Sequence, residues 1–390
     1  METYKYLDVF IREEHVGTLA TYQGRLTAFE YSDYWINNGY SISPFSLPLQ
    51  KKLFIPKNDP FNGISGIFAD SLPDGWGRLL VDRMLTKNQI NPNEVDMLNR
   101  LAIVGSSGMG ALTYRPNHEL FNIIPIVDYD KIAEECRKIL ESEYSDDLDG
   151  LFLLGGSSGG ARPKILTKIE NEDWIIKFPS SSDKKDAGEI EYKYSLCAKK
   201  CEIEMTETRL FSSKKCSGYF GTKRFDRKNL ITGTETKRVH MISVSALLDV
   251  SHRIPSLDYN SLMQLTLELT KDFSEVEKMY RLMCFNVFAH NRDDHSSNFT
   301  FLFNEETKKW RLSPAYDLTF SSSIRGEHAT CVNGNGSNPS IKDILDVADK
   351  IGLSKAKSKE IAEFVQYTVT EELSIPLFGG VPEGRGGYYD

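Results

Sequence analysis

The chain has 390 residues, of which 40% are hydrophobic and 26% charged, so it exceeds one typical domain and has ample apolar material for a buried core. Its 55 Asp and Glu against 47 Lys and Arg give a net charge of −8, which opposes autonomous binding to nucleic acid. Six dispersed cysteines without a C-x-x-C pair argue for reduced thiols rather than a disulfide framework, and no apolar run approaches the ~18 residues of a membrane span.

From Tyr4 to Ile55 short runs alternate around turns such as Gln23-Gly24, the pattern of a small antiparallel sheet. A helix follows, capped by Leu72-Pro73-Asp74-Gly75, with Trp76, Leu79, Leu80 and Met84 on one face; the Trp reads as core. A second helix over about 130–142 leads through an acidic linker, Glu143 to Asp149, to the apolar run Leu151–Leu154. Gly155-Gly156-Ser157-Ser158-Gly159-Gly160 comes next, where glycines permit the backbone values that aim N–H groups at an anion. No Gly-Lys-Ser/Thr follows, so it is not a Walker loop, and a flexible linker is the plainer alternative.

Lys164–Ile169 and Trp174–Pro179 read as paired strands around Glu170-Asn171-Glu172. They make Lys177 the phosphate-contacting candidate, with Lys164 and Lys168 as alternatives nearer the loop. A helix from about Glu189 to Lys200 places Glu191 where it could pair with Lys177. Residues Asn260 to Ala289 read as helices, with Leu282, Phe285, Val287 and Phe288 as scaffold.

Asn291-Arg292-Asp293-Asp294-His295-Ser296-Ser297-Asn298 carries a carboxylate and an amide five residues apart. The runs Phe299–Phe303 and Lys309–Leu312 flank a turn and predict a hairpin that returns Asp317, in Pro314-Ala315-Tyr316-Asp317, beside Asn298. This is the polar layout of ATP-dependent phosphoryl transfer, which needs an in-line nucleophile and metal ions that neutralise phosphate oxygens. Asp293 would orient the attacking hydroxyl, with Asp294 as its rival, and Asn298 and Asp317 offer hard oxygens to Mg²⁺. The bland alternative is a polar loop whose Asp and Asn cap turns. Ile341 to Leu373 is again helical around Gly352, and Leu377 to Asp390, with five glycines and no periodicity, reads as a loose tail.

These motifs in this order resemble the HipA family of bacterial toxin kinases. The likeness rests on Val16-Gly17-Thr18-Leu19, Phe45–Leu49, Phe68–Arg78, Ile176-Lys177-Phe178-Pro179, Arg224-Phe225-Asp226-Arg227, the 291–298 loop and Pro314–Leu318. It implies an α+β, two-lobed protein-kinase-like fold with an N-terminal β-rich subdomain. The implied domains are an N-terminal subdomain over 1–115, a kinase N-lobe over 116–225, a helical C-lobe over 226–376 and a tail over 377–390.

The resemblance also implies Ser/Thr phosphorylation with ATP and Mg²⁺. It places the ATP lysine on Lys177, the catalytic aspartate on Asp293 and the metal pair on Asn298 and Asp317. ATP contacts would come from Gly156, Ser157, Ser158, Gly159, Lys223, Phe225 and His295, with backbone groups near Lys223 and Arg224 meeting adenine. Many members carry Glu in place of Lys223 and Lys in place of Ser297, and the glycine loop differs from the better-known Gly-Ala-Gln-Glu-Lys form. Ser157 and Ser158 are the candidate autophosphorylation sites of a loop switch.

Implied partners are a small HipB-type helix-turn-helix antitoxin, DNA only through that antitoxin, and a protein substrate for which the family precedent is an aminoacyl-tRNA synthetase. A start that reads as a strand and the lack of an apolar span predict a cytoplasmic protein with no membrane association. A kinase-fold enzyme acting on a small alcohol and a catalytically weak corepressor are the other readings. Retention of Lys177, Asp293, Asn298 and Asp317 disfavours the corepressor, and the Leu72–Arg78 block disfavours the small-alcohol enzyme.

Overall fold

The computed structural model describes residues 2–118, 128–143, 145, 148–181, 183–229, 236–322 and 326–374. The expected tail over 377–390 and part of the acidic linker lie outside the described residues. The chain forms two compact units. The first holds Met1–Glu189, Thr206–Ile254 and Phe299–Ser313; the second holds Ile190–Met205, Pro255–Asn298 and Pro314–Asp390. The architecture is mixed α/β with a β-rich N-terminal region.

In the first unit, β1 (Tyr6–Ile11), β2 (Glu14–Tyr22), β3 (Leu26–Tyr31) and β4 (Leu112–Arg115) form an antiparallel sheet in the order β3-β2-β1-β4. Period-2 alternation turns Leu7, Val9 and Ile11 inward. The β2–β3 turn sits at Gln23-Gly24, both with positive φ, as a tight right-twisted hairpin requires. Short helices α1 (Asp33–Asn38) and α2 (Gly66–Ala69) are followed by α3 (Gly75–Lys87) and α4 (Met97–Val104). Asp74 caps α3 by accepting from Gly75 N, and Asp96 caps α4 by accepting from Asn99 N.

Helices α5 (Tyr129–Leu140) and α6 (Leu148–Gly155) come next, so the apolar run 151–154 is helical. Strands β5 (Lys164–Ile169) and β6 (Glu172–Lys177) are followed by α7 (Ala187–Lys200), β7 (Thr208–Phe211) and β8 (Tyr219–Lys223). The second antiparallel sheet runs β5-β6-β8-β7. One apolar core joins Trp76, Leu80 and Met84 of α3 to Leu151 and Phe152 of α6 and to Ile165 and Ile176 of the sheet. The helix predicted after the N-terminal sheet thus shares its core with the strands beside the glycine-rich loop.

The short pair β9 (Arg227–Asn229) and β10 (Thr236–Arg238) precedes β11 (Met241–Ser243) and α8 (Val244–Leu248). The second unit opens, after the end of α7, on β12 (Leu257–Asp258), α9 (Tyr259–Thr270) and α10 (Phe273–Phe288). The predicted hairpin is β13 (Thr300–Asn304) and β14 (Lys309–Leu312); it belongs to the first unit and completes the sheet β11-β13-β14. β15 (Thr330–Cys331) pairs with β12 in parallel. Helix α11 (Ile341–Ile351) ends on Gly352 at φ 84°, and α12 (Lys355–Leu373) follows. In the second unit α9 and α12 pack on α10, whose Val276, Met279, Tyr280, Met283, Phe285 and Val287 are fully buried.

Two buried groups of the first unit titrate against each other. His240 Nε2 donates to Ile42 O over 2.9 Å, and burial pushes its imidazole down to about 4. The Asp70 carboxylate accepts from Ser243 N and Oγ, both at 2.7 Å, yet burial pushes it up to about 6. From pH 6.5 to 4 the unfolded chain takes up a proton at position 240 that the folded chain declines, which costs stability, about 3 kcal/mol. Between pH 6 and 4 the folded chain protonates Asp70 first and gains about as much. The parent chain is therefore expected to have a flat contribution from this pair in that window. Asp70→Asn should make stability fall on acidification and His240→Phe should make it rise, read from urea midpoints at pH 7, 6, 5 and 4.5.

Candidate active site

The glycine-rich segment continues from α6, with Gly156 N donating to Phe152 O at 2.7 Å and Ser158 N to Gly155 O at 3.0 Å. Both serines are buried. Ser157 Oγ donates to Ser107 O at 3.0 Å and Ser158 Oγ to Gly155 O at 2.6 Å. Gly159 differs, because a Cβ built there meets nothing within 4 Å, so this is where the loop faces open space.

Among the alternative lysines, Lys164 is buried beneath the loop and donates from Nζ to Gly159 O at 2.5 Å. Lys168 is exposed further along β5. Lys177 ends β6 in register with Lys164, half-buried, with its ammonium 5.7 Å from the Phe220 ring centroid.

Lys223 N donates to Glu207 O at 2.9 Å and Arg224 N to Asp173 O at 2.8 Å, because β8 is an interior strand flanked by β6 and β7. The Lys223 and Arg224 amides are therefore bonded to the protein's own backbone, and the Lys223 ammonium pairs with Glu172 at 2.8 Å. Phe225, partly buried, is the next residue along the chain.

Asp226 is the hub of a buried ionic cluster. It accepts from Arg224 Nε at 2.9 Å and Nη2 at 2.8 Å, from Arg227 Nη1 at 2.7 Å and from Gly110 N at 2.7 Å. Burial alone would raise its carboxyl, but the two guanidiniums outweigh it and hold the group well below the usual carboxylate range. Arg238 donates to the carbonyls of Ser106, Gly108 and Gly110, and burial beside Arg227 pushes its guanidinium down to about 9. The cluster fixes the 106–110 segment, whose Ser107 carbonyl in turn receives Ser157. The sequence motif marked Arg224–Arg227, but Arg238 and Gly110 join it only through tertiary contact.

In the second unit the 291–298 loop sorts its two adjacent aspartates by burial. The Asp293 side chain is 65% exposed, with His295 Nε2 3.9 Å away. Asp294 is buried: it accepts from Tyr259 Oη at 2.9 Å and Thr330 N at 3.2 Å, and lies 3.0 Å from His328 Nδ1. Asn286 Nδ2 donates to Tyr259 Oη, and Asn291 Nδ2 to Asn286 Oδ1, each at 2.9 Å, which ties the loop to α9 and α10. Neither His328 nor Thr330 carries a sequence signal for this role.

Asn298 Nδ2 donates to Asp293 O at 2.7 Å, which turns its Oδ1 the opposite way. Tyr316 Oη donates to Ser297 O at 2.6 Å, so the Asp317 segment lies against the turn that carries Asn298, as the hairpin prediction requires. Asp317 itself adopts φ 54°, an uncommon backbone state for a non-glycine residue. An amide oxygen and a carboxylate on abutting segments fit a hard divalent ion that takes its other ligands from phosphates and water. Among the described residues no group of three or more His, Cys, Asp or Glu side chains is arranged to hold a metal by itself.

Glu191 is buried in α7, in the second unit with Asp293, His295, Asn298 and Asp317; Lys177, Lys223, Phe225 and the glycine loop belong to the first. The profile of the HipA-like C-terminal domain matches residues 156–373, and that of the HipA N-terminal domain matches 7–115. The chain belongs to the HipA family. The solved complex of Shewanella oneidensis MR-1 HipA and HipB with operator DNA contains a chain similar to this HipA-family chain at TM-score 0.70 and 17% identity, covering 97% of this chain and 92% of that one. The Helicobacter pylori proinflammatory kinase CtkA matches with TM-score 0.36 and 16% identity, over 55% of this chain and 91% of that one. No match is found among curated proteins. No described helix is long and apolar enough to cross a membrane.

Proposed function

We propose that this HipA-family chain is a two-lobed serine/threonine protein kinase that transfers the ATP γ-phosphate to a protein hydroxyl and acts as the toxin of a toxin-antitoxin pair. The observation that carries the reading is the 291–298 loop. It presents an exposed Asp293 and fixes it through Asn298, whose amide oxygen is turned away beside the Asp317 segment. The bond runs to the Asp293 main-chain carbonyl, so the turn is fixed while the carboxylate stays exposed to an incoming hydroxyl.

Asp293 accepts the proton of the attacking hydroxyl. Asn298 Oδ1 and the Asp317 carboxylate would hold Mg²⁺, whose charge would offset that on the phosphate oxygens. Lys177 would contact the nucleotide phosphates and Gly156–Gly159 would cover them, with Phe225 and His295 as the further nucleotide-contacting candidates. The lobes correspond to 116–225 and 226–376, with 1–115 as the appended N-terminal domain. Ser157 and Ser158 bond inward, so self-phosphorylation at either requires the loop to leave its place, and the added charge would keep it out. A HipB-like helix-turn-helix antitoxin would be the partner, by analogy with the Shewanella complex, and would supply the DNA contact that a net charge of −8 disfavours here. An aminoacyl-tRNA synthetase is the first protein to try as acceptor.

Incubating the purified chain with γ-labelled ATP, Mg²⁺ and a lysate of its host tests the reading. Label on a protein Ser or Thr supports it, and label only on a small alcohol, or none, removes it. Asp317→Ala is expected to raise KM for Mg·ATP by about 10²-fold, since it deletes the charged half of the metal pair.

A further inference from the structure

The block Phe68–Arg78 is singled out by sequence, yet none of the steps above uses it. In the structure its second half, the start of α3, is the surface on which the glycine-rich loop rests. Trp76 N donates to Gly160 O at 3.0 Å, so a first-turn donor of the helix is satisfied by the loop. The Trp76 indole Nε1 donates to Lys164 O at 3.1 Å, just beyond the loop. Contact is so close that side chains are excluded: a Cβ on Gly77 would lie 2.3 Å from Ser158 O and 3.1 Å from Ser158 N. A Cβ on Gly75 would lie 2.5 Å from Gly160 O.

The loop is pinned from its other sides by Lys164 Nζ on Gly159 O and by Ser157 Oγ on Ser107 O. Its partners therefore include two pieces of the region matched by the N-terminal domain profile, the α3 start and the 106–110 segment. We propose that Gly75, Trp76 and Gly77 are positioning residues. They form a seat by which the N-terminal domain holds the glycine-rich loop in its ordered conformation and so sets nucleotide affinity. The inference rests on the reading of Gly156–Gly159 as the nucleotide loop.

Gly77→Ala is the discriminating variant. Position 77 is helical and its φ is not positive, so alanine favours the helix itself; its Cβ would meet Pro73 Cβ at 2.8 Å as well as Ser158 O at 2.3 Å, so exchange of the loop, not overall stability, reports on the seat. Gly75, at φ 46°, would be strained by any side chain and makes a poorer probe. In the full chain, hydrogen–deuterium exchange of peptides spanning 155–161 is expected to speed up in Gly77→Ala while the rest of the first unit keeps the parent's protection. Affinity for a fluorescent ATP analogue should weaken, and KM for ATP should rise, by about tenfold, because the loop must move by a substantial fraction of an ångström. The turnover number should stay within about twofold, since the seat touches neither the acceptor nor its base. Arg78→Ala, on the exposed side of the same turn, should match the parent.

Unchanged loop exchange with unchanged affinity overturns the seat, as does an equal loss in Arg78→Ala. If neither parent nor variant binds nucleotide, the kinase reading fails and loop exchange alone decides the seat. If Gly77→Ala loosens the whole unit, Trp76→Phe decides, because it keeps a ring in the core and deletes the bond to Lys164 O. Faster exchange confined to 155–165 then supports the seat, and parent-like exchange there overturns it.

Discussion

Asp293→Ala is expected to lower phosphoryl transfer by about 10³-fold, the scale on which a positioned general base acts, while ATP affinity and folding stability stay near parent values. The side chain is 65% exposed, and the bond that fixes this residue runs to its main-chain carbonyl, which alanine keeps. Growth arrest on expression should disappear with transfer. The neighbouring Asp294→Ala should do the reverse, costing about 3–5 kcal/mol because it leaves Tyr259, Thr330 and His328 facing an empty acceptor position in the interior. Single-turnover transfer and urea unfolding on both variants separate the two. An active, growth-arresting Asp293→Ala would move the base elsewhere and end the mechanism proposed here.

The largest stability loss in the first unit is expected from Asp226→Ala. It removes the carboxylate to which both Arg224 and Arg227 donate and frees Gly110 N, leaving buried guanidiniums without their hydrogen-bonded counter-ion. Breaking such a pair from one side costs about 3–5 kcal/mol, a large part of the 5–15 kcal/mol that typically holds a domain together. Asp226→Asn should cost less, since its remaining oxygen still accepts from one arginine. A urea midpoint for Asp226→Ala equal to the parent's would show that the carbonyls of 106–110 suffice to balance the arginines.

What could be read from sequence was local. The Asp74 cap, the Gln23-Gly24 turn, the 300–312 hairpin and the Gly352 stop are each written in a few adjacent residues, and each is where the pattern put it. Spacing favoured Asp293 over Asp294, and burial separates the two in the same sense. Three features escaped because they depend on strand order or distant contacts. Lys223 and Arg224 could be recognised by motif, but that both edges of β8 are paired follows from a sheet order no local signal encodes. His328 and Thr330 reach Asp294 across more than thirty residues. The role of Lys164 beneath the loop depends on how tightly the loop turns back over its own strand.

Neither unit is a continuous stretch of chain: the polypeptide passes between them five times, and the hairpin that completes the β11 sheet is made last. During synthesis, β11 leaves the ribosome some sixty residues before its partner β13, a wait of about 3 to 12 seconds at ordinary elongation rates. For that interval Met241–Ser243 is an unpaired edge, open to pairing with any other nascent strand. Messages truncated after residue 254 would yield chains in which Met241–Ser243 never meets Thr300–Asn304, so an incomplete copy cannot build this sheet.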